Sequence, residues 1–204
     1  VVDLVRGSNS RTFVMLGGGR VLAEAYWEGT TVSTTQDIAS CQKSVVSSLV
    51  GIARAKGLLS LDDPVSERLA PGWSRAPEED EARITVRHLL TMTSGLHPVT
   101  LRKAAEPGAE WAYNTPAYQK LRLVLEAASG DDINTLSRAW LFDPIGVSTV
   151  AEWRPRGAID LSLGDAGTQH WGLALTARDM ARFGLLAQRG GRWPRRVTGG
   201  AERL

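Results

Sequence analysis

Two kinds of apolar pattern organise the chain. Residues 11–16 and 20–27 are short runs rich in β-branched and large apolar side chains, joined by Gly17, Gly18 and Gly19. Glycines that accept positive φ make such a junction a hairpin turn, so two antiparallel strands are expected. The triplet is not a phosphate loop, because it lacks the Gly-x-Gly-x-x-Gly spacing, no Lys-Ser follows it and the next segment is not helical. From Ser40 to Lys56 the period changes. Val45, Val46, Leu49, Val50 and Ala53 recur at three- and four-residue intervals, and Gly57 supplies a stop, which predicts a helix. Its polar positions are mostly small serines, so close packing and burial are expected.

Further helices are predicted at about 85–92, 116–129, 132–142 and 177–189. Thr176 and Asp179 form a capping box for the last, and Gly190 ends it. Loops are marked by Pro71-Gly72, Ser94-Gly95, Pro107-Gly108 and Asp143-Pro144, and the acidic run 78–81 reads as a solvated loop. No segment after the hairpin looks strand-like. The expected class is therefore α+β, with an N-terminal hairpin and a mostly helical remainder. The expected organisation is a single domain over 1–204, incomplete at its C-terminus: hairpin and first long helix (1–59), mainly helical region (60–175), helix and basic tail (176–204). A hairpin alone leaves two edges and one face uncovered. Either more strands belong to the complete protein or another chain, such as a second copy in a homo-oligomer, supplies them.

Composition narrows the function classes. The chain has 204 residues, 43% hydrophobic and 23% charged, as in ordinary globular proteins. No apolar run is long enough for a transmembrane helix, and residues 1–4 lack the features of a secretory signal. The first residue is not Met, so compartment stays open. The pI of about 8.9 comes from scattered arginines. The cluster Arg192, Arg195 and Arg196 beside Trp193 reads as a solvated tail, so nucleic acid is not an expected partner. A single cysteine, Cys41, makes no internal disulfide, and three histidines far apart in sequence do not suggest a metal site.

Ser40 and Lys43 carry the strongest chemical signal. Side chains three apart on a helix share a face. A serine hydroxyl becomes a nucleophile when a base takes its proton, and a lysine serves as that base if burial and the positive helix terminus lower its pKa. The same terminus aims backbone N–H groups at an oxyanion. The bland alternative makes Ser40 an N-cap and Lys43 an exposed helix residue. With 15 serines and 4 lysines, about 0.3 Ser-x-x-Lys matches arise by chance, so the spacing does not decide.

Longer stretches do decide. Ile38-Ala39-Ser40-Cys41-Gln42-Lys43-Ser44, Leu49-Val50-Gly51-Ile52-Ala53, Leu61-Asp62-Asp63-Pro64-Val65, Ile84-Thr85-Val86-Arg87-His88-Leu89-Leu90-Thr91-Met92-Thr93-Ser94-Gly95-Leu96 and Thr176-Ala177-Arg178-Asp179-Met180-Ala181-Arg182-Phe183-Gly184 stand in an order and spacing that resembles the serine β-lactamase-related hydrolases. That family includes class C β-lactamases, D-alanyl-D-alanine peptidases, family VIII esterases and 6-aminohexanoate-dimer hydrolases. The resemblance runs from about residue 10 to about 195. It implies a β-lactamase/DD-peptidase-like α+β fold and an acyl-enzyme on Ser40 formed from a small ester or amide, without a cofactor.

The resemblance also points to Pro107-Gly108-Ala109-Glu110-Trp111-Ala112-Tyr113-Asn114-Thr115 as the family's tyrosine segment. Tyr113 would join Lys43 as the general-base pair; the alternative is a core aromatic with its hydroxyl tied to backbone. Thr115 stands where class C enzymes have Asn, and either contacts substrate or caps the helix starting at Pro116. The family's third motif, on a strand that follows the last helix, is the departure. His170-Trp171-Gly172 fits the His-x-Gly pattern but precedes that helix, so His170 is read as a loop residue and the third-motif strand as missing. A rival reading follows: a non-catalytic member that binds or is acylated without turnover, or that needs a partner chain.

Other constellations are weaker. No Gly-x-Ser-x-Gly elbow exists. Ser94 and His97 are close in sequence but fall in a loop the family uses structurally. His88, beside Leu89 and Leu90, reads as a satisfied packing residue, and Cys41 as a small buried one. Cys41 and the Tyr113-Asn114-Thr115 run look more like the esterase and aminohexanoate-dimer hydrolase branch than class C β-lactamases.

Overall fold

The computed structural model describes residues 1–156 and 170–194, so Arg195 and Arg196 of the basic cluster lie outside the described residues. The chain divides into two compact units, one made of Val1–Ile38, Arg138–Glu152 and Leu173–Leu204, the other of Ala39–Ser137 and Trp153–Gly172.

The first unit holds the expected hairpin. After a short helix α1 (Val2–Arg6), strand β1 (Thr12–Gly17) pairs antiparallel with β2 (Arg20–Tyr26), from Thr12↔Tyr26 to Gly17↔Arg20, with a bulge between Met15 and Leu16. Gly18 and Gly19 turn the hairpin at φ 59° and 82°. That pair of positive angles explains why glycine occupies both places. Helix α8 (Ala177–Gln188) packs on β1, and its Arg178 holds both carboxylate oxygens of Glu24 on β2 at 2.6 and 2.8 Å. Thr176 caps α8 as expected, its Oγ1 accepting from the Asp179 N–H. The Asp179 side chain is wholly buried and accepts from the Thr176 hydroxyl, the Ser148 N–H and hydroxyl, and Arg182.

Strands also occur where none was expected. A two-residue strand β3 (Gln36–Asp37) pairs antiparallel with β5 (Trp171–Leu175) through Gln36↔Leu175 and Asp37↔Ala174. Strand β4 (Glu152–Pro155) lies beside β5, and the Arg156 N–H donates to the His170 carbonyl. His170 lies just before β5 and outside any element, as the loop residue expected, and is buried there. Leu173, Ala174 and Leu175 are all buried, so this strand has no polar face and no alternation to betray it.

The second unit is built on α2 (Gln42–Ala55), which enters from a tight 3₁₀ turn at Ala39–Cys41. Its buried stripe is the expected one, Val45, Val46, Leu49, Val50 and Ala53, with Gln42 added. It packs on α5 (Thr115–Ser129), whose Leu121, Val124 and Leu125 are likewise buried. Gly130 ends α5 in the left-handed region at φ 78°. The predicted 132–142 segment begins here as α6 (Ile133–Ser137); its remainder, a π-helical turn at Arg138–Phe142, and a last turn α7 (Asp143–Ile145) belong to the first unit.

The acidic run is not a solvated loop. It forms a short helix α3 (Glu78–Glu81) in which Asp80 and Glu81 are buried. Glu81 accepts from the N–H groups of Gly72 and Ser74 and from the Ser74 hydroxyl, at 2.6–2.9 Å. Lys103 and Arg83 bind Asp80, and both also reach Glu106. Buried carboxylates are tolerated here because donors of the fold meet both of them. Helix α4 (Val86–Leu90) follows, capped by Thr85, whose own N–H donates to His88 Nδ1 at 3.2 Å. His88 is thus the satisfied residue expected.

Candidate active site

Chain geometry brings Ser40, Lys43 and Tyr113 together within the second unit. Ser40 sits in the 3₁₀ turn one residue before the α2 N-cap, which is Cys41, and Cys41 caps with no side-chain hydrogen bond. Ala39 before it adopts φ 47°, a left-handed conformation that costs a residue with a Cβ. The turn leaves Ser40 exposed and Lys43 half-buried one helical step along. Lys43 Nζ donates to Ser40 Oγ at 3.2 Å. Ser40 is therefore not an ordinary N-cap, since its hydroxyl meets side chains instead of the helix backbone.

Tyr113 arrives from 73 positions away. It follows a loop tied down by hydrogen bonds from the Gly108 N–H to Thr93 O and from the Ala112 N–H to Met92 O. Gly95 makes this close packing workable: its φ is 72°, and an added Cβ would lie 2.3 Å from the Ala105 carbonyl oxygen. Tyr113 is 48% exposed, so it is no core aromatic, and its hydroxyl lies 2.7 Å from Ser40 Oγ. Lys43 Nζ also lies over the Tyr113 ring, 5.0 Å from its centroid, and over the Tyr118 ring at 5.9 Å. The Tyr118 hydroxyl donates to the Lys43 carbonyl at 2.9 Å and steadies this turn of α2.

Electrostatics separate the two tyrosines. The hydrogen bond with Ser40 lowers the Tyr113 pKa from its ordinary value; partial burial opposes this, while Lys43 and the Thr115 hydroxyl add to it. Burial alone pushes the Tyr118 phenol up to about 12. Tyr118 is thereby kept as a phenol, and Tyr113 is the one moved toward ionisation. With Tyr113 neutral, its O–H donates to Ser40 Oγ; with Tyr113 ionised, the serine proton points at the phenolate.

Thr115 is the first residue of α5 and does not cap it. Asn114 does, with Oδ1 accepting from the Ala117 N–H and Nδ2 donating to the Leu96 carbonyl, both at 2.9 Å. Asn114 is a strong N-cap residue type two places before Pro116, a signal the sequence carried although Thr115 was weighed in its place. Cys41 is exposed, not buried, because the 3₁₀ turn rotates it away from the α2 stripe. Ser94 and His97 form no dyad: Ser94 Oγ accepts from the Leu96 N–H, and His97 Nδ1 accepts from the Val99 and Thr100 N–H groups.

Gln42 and Gln119 stand out only in three dimensions. Their side-chain amides both donate to the Trp171 carbonyl at 3.0 Å, and Arg122 stacks over the Trp171 ring at 4.7 Å. The start of β5 is thus fixed to the first turn of α2, beside Lys43. Among the described residues no cluster of His, Cys, Asp and Glu side chains suits a metal ion, and no helix is long and apolar enough to cross a membrane.

Comparison with known proteins follows the same lines. The beta-lactamase family model matches residues 10–198. A solved structure of a protein provisionally named a beta-lactamase, from Bacteroides dorei DSM 17855, superposes with a TM-score of 0.73 at 22% identity, covering 94% of this chain and 62% of that one. A protein provisionally named a 6-aminohexanoate-dimer hydrolase, from Bacillus anthracis, gives 0.70 at 17% identity, covering 95% and 57%. An uncharacterized protein of Alkalihalophilus pseudofirmus is 28% identical over 142 residues, 64% of this chain and 40% of the relative. The chain thus spans less than two thirds of the length of these relatives.

Proposed function

Because the chain belongs to the beta-lactamase family, we propose that it is a serine hydrolase in which Ser40 attacks an ester or amide carbonyl, with Lys43 and Tyr113 as the general-base pair. The observation that carries this reading is the convergence of Lys43 Nζ and the Tyr113 hydroxyl on one serine oxygen, at 3.2 and 2.7 Å. Ser40 Oγ bonds to the carbonyl carbon as its proton passes to the Tyr113 oxygen, and the Lys43 ammonium offsets the charge on that phenolate. Backbone N–H groups at the start of α2, that of Ser40 among them, face the oxyanion. Collapse expels the alcohol or amine, which takes the proton from Tyr113. Water then attacks the acyl-enzyme, gives its proton to Tyr113, and the acid leaves as Ser40 recovers its hydrogen.

Thr115 supports the pair through its hydroxyl on Tyr113 and stands close enough in sequence to meet substrate. The substrate class is a small ester or amide. Turnover of p-nitrophenyl acetate tests the reading: the wild type is expected to hydrolyse it and Ser40→Ala to fall to the buffer rate. Equal rates in the two would overturn it. The same assay separates a second reading, acylation without turnover. It predicts a single stoichiometric burst of p-nitrophenol with no steady state.

A further inference from the structure

We infer that Trp111 is a specificity-determining wall of the Ser40 site, selecting esters and amides that carry a flat aromatic group beside the reacting carbonyl. This rests on the serine-hydrolase reading. Trp111 is 67% exposed, although an indole is among the largest apolar surfaces a chain can leave in water. Its exposure does not come from a loose loop. The next residue, Ala112, donates its N–H to Met92 O at 2.9 Å, Gly108 is held to Thr93 at 2.7 Å, and Asn114 is bonded at both ends of its carboxamide. A large side chain held rigidly in the open contributes little to the core and is already organised to meet a ligand.

Its neighbours say which ligand. The Trp111 and Tyr113 ring centroids lie 6.5 Å apart at 53°, a tilted pair, and Tyr113 reaches Ser40 Oγ with its hydroxyl. Trp111 is thus linked to the reacting oxygen through one intervening ring, that of Tyr113. The Tyr113 ring is already covered by Lys43 Nζ, whereas no cation–π partner of Trp111 occurs among the described residues. The indole is thus the aromatic surface of the site left for substrate. Rings meeting such a surface gain from offset or edge-to-face contact, which a methyl group does not provide.

The test is a set of three esters, methyl acetate and two that each carry one phenyl ring, methyl phenylacetate on the acyl side and phenyl acetate on the leaving-group side. The ratio of kcat/KM for a phenyl-bearing ester over methyl acetate is expected to fall about tenfold in Trp111→Ala and to recover in Trp111→Phe, the size expected for one aromatic contact with its buried area. Which of the two phenyl esters responds identifies the acyl or the leaving-group side. A ratio unchanged within twofold for both overturns the inference. A binding arm separates this from the chemistry. In a Ser40→Ala background, phenylacetamide affinity followed by ligand-observed NMR should weaken about tenfold on adding Trp111→Ala and return with Trp111→Phe. Unchanged affinity overturns the aromatic wall, whereas Ser40-independent ester hydrolysis in the wild type overturns the hydrolase reading and leaves the binding arm to decide.

Discussion

Tyr113 and Tyr118 both present a ring to Lys43, yet their environments push them apart: the hydrogen bond with Ser40 draws one toward ionisation, and burial holds the other as a phenol. On the proposed reading the ionised form of Tyr113 is the base, so kcat/KM should rise with pH through a pKa below the ordinary tyrosine value of about 10. Tyr113→Phe should remove that limb and lower kcat/KM by about 10²–10⁴-fold. A pH–rate profile on both proteins checks it, and a limb that persists in the variant assigns the base elsewhere. Helix spacing put Ser40 and Lys43 on one face without deciding their role; that role, like that of Tyr113, was read from the family's motif order. No spacing rule connects residues 73 apart. Cys41, expected as a small buried residue, is exposed for a local reason: it lies in the 3₁₀ turn that precedes α2, outside the helix's buried stripe.

At the scale of elements, the α2 stripe, the glycine hairpin and the Thr176 cap followed directly from periodicity and turn chemistry. Strands β3, β4 and β5 did not. Two are two and four residues long, and β5 is buried on both faces, so none shows the alternation that marks a half-exposed strand. The acidic run misled because the donors that satisfy Glu81, at Gly72 and Ser74, are supplied by the fold and not by the run itself. The start of α5 matters most to the site, since it carries the residue that follows Tyr113. Asn114→Ala removes a cap and leaves the Leu96 carbonyl without its buried donor, a loss of about 2 kcal/mol. Thr115→Ala, one residue on, should cost less than half of that. Urea denaturation of the two variants tests the assignment; the reverse order would return the cap to Thr115.

On the scale of the whole molecule, each unit holds a buried carboxylate bound by more than one donor. Asp179 in the first unit gathers the Ser148 N–H and hydroxyl, the Thr176 hydroxyl and Arg182 with its side chain wholly buried. Asp179→Ala should therefore destabilise by about 3 kcal/mol, read as a lower urea midpoint, because several buried donors lose one acceptor together. In the second unit Asp80 is held low by its hydrogen bond with Lys103, and Glu106 by those with Lys103 and Arg83. Carboxylates depressed in the folded state bind more protons when unfolded. Their contribution is present above the unfolded pKa and is lost as pH falls through the folded one, so the urea midpoint should drop as pH is lowered below the ordinary carboxylate range of about 4. Asp80→Asn should flatten that slope, and an unaltered slope would remove Asp80 from the acid response.

Everything proposed for the chemistry passes through one oxygen. Intact-protein mass after incubation with a fluorophosphonate, followed by peptide mapping, interrogates it directly. One phosphonyl adduct per chain on Ser40, absent from Ser40→Ala protein that folds normally, is the predicted result. No adduct on folded wild type, or an equal adduct on the variant, would contradict an activated serine at this site.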